Sequence, residues 1–251
     1  MKLWQNFKKI WIICLTGGCV AYTPPSNYVY EKISTPQFEL ASWQKIEKPG
    51  APLTVYIEGD GYAFNYEGQA SSNPTPRTTT MREMAFRDQD TNVAYLARPC
   101  QYVTDEKCRK KYWTTGRFAP EVIAAEAEAV RKLQKKSSSK EVVLVGYSGG
   151  AMVAGLIAVQ NPDIKVKKLI TVAGLLEHQR WAQYHQVAPL KDSLDLEDYR
   201  SAYEKIPQVH FAGEKDKIIP AGLSPAKKNL IIVKGASHSR GWEKLDLSEY
   251  K

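Results

Sequence analysis

The chain has 251 residues, 43% of them hydrophobic and 25% charged, with a formal net charge of +8 at neutral pH. That length carries one sizeable core, and that composition excludes collagen-like, low-complexity and disulfide-scaffold proteins. The basic residues are scattered, apart from Arg109-Lys110-Lys111 and Lys135-Lys136. No zinc-finger or RNA-binding motif accompanies them, so no nucleic-acid partner is expected.

Met1–Gly18 begins with Lys2, Lys8 and Lys9, continues Ile10-Trp11-Ile12-Ile13-Cys14-Leu15 and ends in small residues before Cys19. A basic start, a short apolar run and small residues predict a secretory signal peptide over residues 1–18. The apolar run is too short to span a bilayer permanently. The string LTGGC resembles a bacterial lipobox, with Thr16 where leucine is usual. The resemblance implies a diacylated Cys19 at the mature N-terminus, and so a membrane as partner through a lipid anchor. Residues 19–35, with Pro24 and Pro25, read as a tether.

From residue 36 to 251 the pattern is that of one α/β domain. Phe38, Leu40 and Trp43 alternate with polar positions in Pro36–Ile46 and predict one or two antiparallel strands. Leu53–Ile57 is the next strand, running into Glu58-Gly59-Asp60-Gly61. Tyr62–Thr80 is polar and turn-rich. Met81–Asp88 reads as a helix and Asn92–Leu96 as a strand. Cys100 and Cys108 bracket CQYVTDEKC. In an oxidising compartment they pair and staple that loop; the alternative is two free thiols. No histidine or further cysteine shares the segment, so no metal site is expected there.

Pro120 suits the first turn of a helix over Glu121–Lys136, whose apolar face is Ile123, Ala127, Val130 and Leu133. Val142–Val145 is a β-branched run that stops at Gly146-Tyr147-Ser148-Gly149-Gly150, and an apolar helix follows over Ala151–Val159. Such a tight strand-to-helix turn pushes a serine out of the sheet and requires tiny neighbours. A strand is expected at Lys168–Val172, then an excursion over about 174–206, then strands at Gln208–Ala212 and Leu230–Val233. Lys244–Tyr250 reads as a weak closing helix. Strands alternating with helices predict a largely parallel sheet covered on both faces.

Two further motifs follow the serine. His210-Phe211-Ala212-Gly213-Glu214-Lys215-Asp216-Lys217-Ile218-Ile219-Pro220 comes after the next-to-last strand, and Gly235-Ala236-Ser237-His238 after the last. In this order the three sites resemble the α/β-hydrolase superfamily over roughly Leu53–Trp242. The resemblance implies a mostly parallel central sheet with helices on both faces and a short cap at 174–206, which is otherwise only a connecting helix pair. It also aligns Ser148 with the nucleophile, Asp216 with the acid and His238 with the base. The combination of RPCQ, a second cysteine, a Trp and RFAPEV resembles a group of exported bacterial α/β-hydrolases.

The chemistry needs three groups because a serine hydroxyl is a poor nucleophile at neutral pH. His238 takes its proton, and Asp216 holds the imidazole tautomer. The resemblance places oxyanion donors at the backbone N–H groups of Gly149 and Asp60, with Gly61 as the alternative to Asp60. Glu58 stands where the family often has histidine. Glu214 is the rival acid, and His178, His185 and His210 are the other histidines. Tyr62, Tyr147 and Trp181 are candidate pocket residues, as are Phe64, Tyr66, Tyr102 and Trp113, or these aromatic residues only pack their loops. Arg98 and Arg117 are candidates for binding a carboxylate.

These readings predict an exported serine hydrolase acting on a small-molecule acyl substrate, with no metal and no organic cofactor implied. Thioesterase, peptidase and acyltransferase chemistry share the machinery. The rival reading is a non-catalytic envelope lipoprotein that uses the fold for binding. Loss of the serine or histidine would mark it, and neither is lost.

Overall fold

The computed structural model describes residues 24–251. The predicted signal peptide, the Cys19 lipidation site and the start of the tether lie outside the described residues. Eight strands form one sheet: β1 (Val29–Ser34), β2 (Glu39–Ile46), β3 (Leu53–Ile57), β4 (Asn92–Leu96), β5 (Val142–Tyr147), β6 (Val166–Val172), β7 (Gln208–Gly213) and β8 (Leu230–Val233). Their spatial order is β1-β2-β4-β3-β5-β6-β7-β8. β1, β2 and β4 pair antiparallel, and every other neighbouring pair is parallel.

Every residue of β3, β4 and β5 is buried. Successive side chains point to opposite faces, so such continuous apolar runs feed two cores at once. On one face Val55, Ile57, Leu144 and Leu96 pack with α2 (Pro120–Ser137) and α3 (Gly149–Gln160). On the other, Tyr56, Val143, Val145 and Tyr95 pack with α1 (Thr80–Arg87) and with Trp242 and Leu247. The predicted face of α2 is the one that is buried: Ile123, Ala127, Val130 and Leu133. Helix α3 is apolar all round because its whole first two turns are enclosed.

Two expectations are corrected. The tether was expected to run to residue 35, but its last part is strand β1, paired with β2 from Val29↔Gln44 to Ser34↔Glu39. Of its six residues only Ile33 is buried, so an edge strand of this kind leaves almost no hydrophobic alternation to read. The predicted closing helix is a single 3₁₀ turn, Ser248–Tyr250. The Asp246 carboxylate accepts the Ser248 N–H at 2.9 Å, a local bond that competes with helix formation.

The excursion carries two short helices, α4 (His178–His185) and α5 (Arg200–Tyr203), joined through a 3₁₀ turn at Leu196–Tyr199. Cys100 and Cys108 form a disulfide, and Trp113 packs beside it. Among the described residues no helix is long and apolar enough to cross a membrane.

Gly146, at the sheet centre, packs tightly against the start of α3. A Cβ there would stand 2.5 Å from both the Ala151 Cα and the Gly150 carbonyl oxygen. Backbone cannot yield as a flexible side chain does, so Gly146→Ala is expected to lower unfolding free energy by about 2–4 kcal/mol. Urea denaturation measures this; an unchanged midpoint would contradict the described approach of α3 to β5.

Candidate active site

Ser148 sits between the last residue of β5 and the first of α3, with φ +51° and ψ −121°. A residue with a Cβ rarely holds a positive φ, and such positions cost about 1–3 kcal/mol. Neighbouring backbone holds this one. The Ser148 N–H donates to the Val172 carbonyl at 3.1 Å, and the Ser148 carbonyl accepts from Ala151 at 3.1 Å and Leu175 at 2.9 Å. Gly150 allows α3 to start at once, because a Cβ there would run into the carbonyls of Ile57 and Glu58.

The Ser148 Oγ lies 3.0 Å from His238 Nε2, and His238 Nδ1 lies 2.9 Å from Asp216 Oδ2. Asp216 is buried, and its Oδ1 accepts the N–H groups of Ile218 at 2.8 Å and Ile219 at 2.9 Å. Both of its oxygens are therefore committed, which orients the carboxylate toward the imidazole. The His238 carbonyl accepts the Tyr147 hydroxyl at 2.9 Å and the Trp242 indole N–H at 3.1 Å. Burial keeps the Tyr147 phenol protonated, so it serves as a permanent donor there.

The loop after β3 passes directly over this turn. A Cβ on Gly59 would stand 3.1 Å from the Ser148 Cβ, and one on Gly149 would overlap the Asp60 carboxylate. Gly61 instead faces Pro74 and Gln101. Among the described residues the N–H groups of Asp60 and Gly149 donate to no protein acceptor. Two free N–H groups beside a serine hydroxyl at a helix N-terminus favour developing negative charge. Glu58 turns away from the serine: its carboxylate accepts the Gly59 N–H at 2.8 Å and the Tyr95 hydroxyl at 2.7 Å. Burial raises its pKa.

The rival groups fall elsewhere. Glu214 accepts the Gly235 N–H at 2.8 Å and does not meet His238. His178 is buried against Phe118 and Asp195. His185 lies 2.8 Å from the Ile218 carbonyl. His210 lies in β7, 2.8 Å from Thr171 Oγ1 and 2.7 Å from Gln208 Oε1.

Of the candidate pocket residues, Tyr62 lines an open trough of about 1080 Å³, where Arg77 stacks on its ring at 3.3 Å. Tyr147 lies beside the His238 ring, with centroids 5.5 Å apart, and its hydroxyl supports the His238 loop. Trp181 donates to the Ile218 carbonyl at 2.8 Å and ties α4 to the acid loop. Trp113 donates to the Ser71 carbonyl at 3.2 Å, Tyr102 packs on Trp43 and Tyr95, and Tyr66 is 95% exposed. A cavity of about 450 Å³ within the excursion is lined by Glu177, Arg200 and Tyr203 and includes none of Ser148, Asp216 and His238.

Sequence comparison agrees with this geometry. Residues 69–230 match the model of the family described as Serine hydrolase (FSH1). The chain belongs to that serine hydrolase family. The matched span holds Ser148 and Asp216 but ends before His238, which the fold itself delivers. No curated protein matches the chain. Among solved structures it is similar to an α/β serine hydrolase homologue from Coxiella burnetii, at 16% identity over 89% of this chain and 94% of that one, TM-score 0.53. It is also similar to Est1E from Butyrivibrio proteoclasticus (16%, 85% and 91%, TM-score 0.56) and to the Pyrococcus furiosus esterase Pf2001 (18%, 86% and 86%, TM-score 0.57). At such identities the shared property is the fold, that of the α/β-hydrolase superfamily, and the protein is a hydrolase of the serine hydrolase kind.

Burial pushes the His210 imidazole down from 6.5 to about 4. Above pH 6.5 it is neutral in both folded and unfolded chains and adds no pH dependence. Between 6.5 and 4 the unfolded chain takes up a proton that the folded one refuses, so stability falls as pH falls, by up to about 3 kcal/mol. His210→Gln lacks this loss. Its stability deficit against the wild type, from urea midpoints, is expected to shrink between pH 7 and pH 4.5; a constant deficit would refute the assignment.

Proposed function

We propose that this serine hydrolase cleaves a carboxylic ester of a small-molecule acyl substrate through an acyl-enzyme on Ser148. The observation that carries the reading is the continuous chain Ser148 Oγ, His238, Asp216, with separations of 3.0 Å and 2.9 Å, ending beside two unpaired backbone N–H groups. His238 Nε2 accepts the Ser148 proton as Oγ attacks the carbonyl carbon. Asp216 stabilises the imidazolium that forms. The carbonyl oxygen, now negative, is received by the N–H groups of Gly149 and Asp60, each of which is worth about 3–4 kcal/mol in such sites. His238 then returns the proton to the leaving alcohol. Water repeats the sequence on the acyl-enzyme and frees Ser148.

The reading is tested by a fluorophosphonate probe on the purified protein. Wild type is expected to be labelled and Ser148→Ala is not; a folded wild type that resists the probe would point instead to a binding protein built on the fold. A panel of esters, thioesters and peptides then separates ester hydrolysis from its relatives.

We also propose that the enzyme works in the bacterial cell envelope, anchored through a lipid on Cys19. The support is the basic, apolar and LTGGC leader, together with a disulfide suited to an oxidising compartment. The full chain expressed in a bacterial host is expected to fractionate with membranes, and Cys19→Ser to lose that association. Equal distribution of the two would rule the anchor out.

A further inference from the structure

A buried cluster of four ionisable side chains adjoins the site and takes no part in the proton transfers. Asp60 comes from the loop after β3, Arg98 from the end of β4, Arg117 from just before α2 and Glu126 from α2 itself. Arg117 Nη1 donates to Asp60 Oδ2 at 2.6 Å, and Arg98 Nη1 stands 3.5 Å from Asp60 Oδ1. Behind them Arg98 Nε stands 3.5 Å from Glu126 Oε1, and Arg98 also donates to the Arg117 carbonyl. Arg117 Nε donates to the Thr114 carbonyl at 2.8 Å, so its guanidinium is fixed from two sides.

This cluster is poorly built for stability. Both arginine side chains and the glutamate are at most 8% exposed. Asp60 Oδ1, Arg98 Nε and Nη1 and both Glu126 oxygens make no hydrogen bond of good geometry. Buried ion pairs with unsatisfied atoms are, as a rule, no better for stability than apolar packing. Its location indicates another use. The Asp60 carboxylate rests on the Cα of Gly149, at a place any Cβ would fill. On the proposed reading, the unpaired backbone N–H groups of these same two residues receive the oxyanion. A bare carboxylate there would repel the charge that the site must receive.

We propose that Arg117, backed by Arg98, is a positioning residue of the oxyanion hole. It cancels the charge of the Asp60 carboxylate and pins the side chain, so that the Asp60 N–H is held toward the reacting carbonyl. The inference rests on the acyl-enzyme reading. As the Ser148 Oγ–carbon bond forms, the carbonyl π pair moves onto oxygen and the hydroxyl proton moves to His238 Nε2. The new negative charge then lies between Gly149 and Asp60, and the guanidinium makes Asp60 a net donor to it. The cluster also gives Gly149 a steric reason to lack a side chain.

The test is a double-mutant cycle on the full-length protein, read by the second-order rate of fluorophosphonate labelling and by kcat and KM for p-nitrophenyl acetate. Arg117→Met exposes the oxyanion to an uncompensated carboxylate and is expected to slow labelling and kcat about 10- to 100-fold, with KM within about threefold. Asp60→Asn removes the charge but keeps the backbone donor, and is expected to cost less than about fivefold. Adding Asp60→Asn to Arg117→Met is expected to restore about tenfold of the lost rate. A merely structural role would give losses that add, and no recovery. Wild-type rates in Arg117→Met, or a double variant no faster than it, would overturn the proposal. Thermal melts accompany each variant. Should Arg117→Met alone fail to fold, the double variant is compared with Asp60→Asn: a rate within about fivefold supports the proposal, and a loss of about 100-fold overturns it. A wild type that the probe does not label overturns the acyl-enzyme reading and this inference together, whereas labelling of wild type and Arg117→Met at equal rates overturns only the inference.

Discussion

The positive φ of Ser148 is the constraint on which the site depends. A serine held at +51° between a strand and a helix turns its hydroxyl out of the sheet and aims the first N–H groups of α3 at the same space. That conformation is unfavourable by itself. It persists because its N–H is bonded to the end of β6 and its carbonyl to the start of both α3 and the cap segment. β5 lies in the interior of the sheet between β3 and β6, with Tyr147 in register with Val172. The centre of the hydrophobic core thus holds the strain, and the chemistry is placed on a buried, fully hydrogen-bonded strand end.

The site also needs negative charge in one place and nowhere else nearby. Three carboxylates surround the serine, and each is managed differently. Asp216 is committed to two backbone N–H groups and to His238, so its charge acts on the imidazole. Glu58 is withdrawn beneath the loop, where the Tyr95 hydroxyl and the Gly59 N–H receive it and burial favours its neutral form. Asp60 is paired with Arg117 and Arg98. Glu126 completes the last cluster from α2, where burial pushes its pKa up to about 8. The departure of Glu58 from the family's usual histidine is thus absorbed by its own loop: the carboxylate is held by Tyr95 and the Gly59 N–H and turned away from the serine.

Support for the base comes from residues that carry no chemistry. Tyr147 and Trp242 both donate to the His238 carbonyl, and Trp242 belongs to the core cluster on the α1 side of the sheet. The position of the imidazole is thereby tied to the packing of the final loop rather than to β8 alone. Arg98 and Arg117 illustrate the same limit of linear reading. As isolated arginines they suit a carboxylate ligand, and the carboxylate they hold is the chain's own Asp60. Nothing in the spacing of residues 60, 98, 117 and 126 announces that they meet, because two successive β–α–β connections bring them together.

What the sequence determined by itself was whatever repeats locally or must be small. The apolar runs of β3 to β5, the apolar face of α2, Gly146 and Gly150 around Ser148, and the order of serine, aspartate and histidine are all set by short-range sterics and periodicity. Tertiary structure decided the rest. β1 exists because β2 offers it an edge, not because VYEKIS alternates. The segment after Trp242 stays out of a helix because local capping bonds and burial of Leu247 satisfy it better. The choice of Asp60 over Gly61 as neighbour to Gly149, and of Arg117 as its counter-ion, depends on contacts between segments far apart in the chain. Long-range pairing leaves no periodic trace in a sequence, so only the folded chain reveals it.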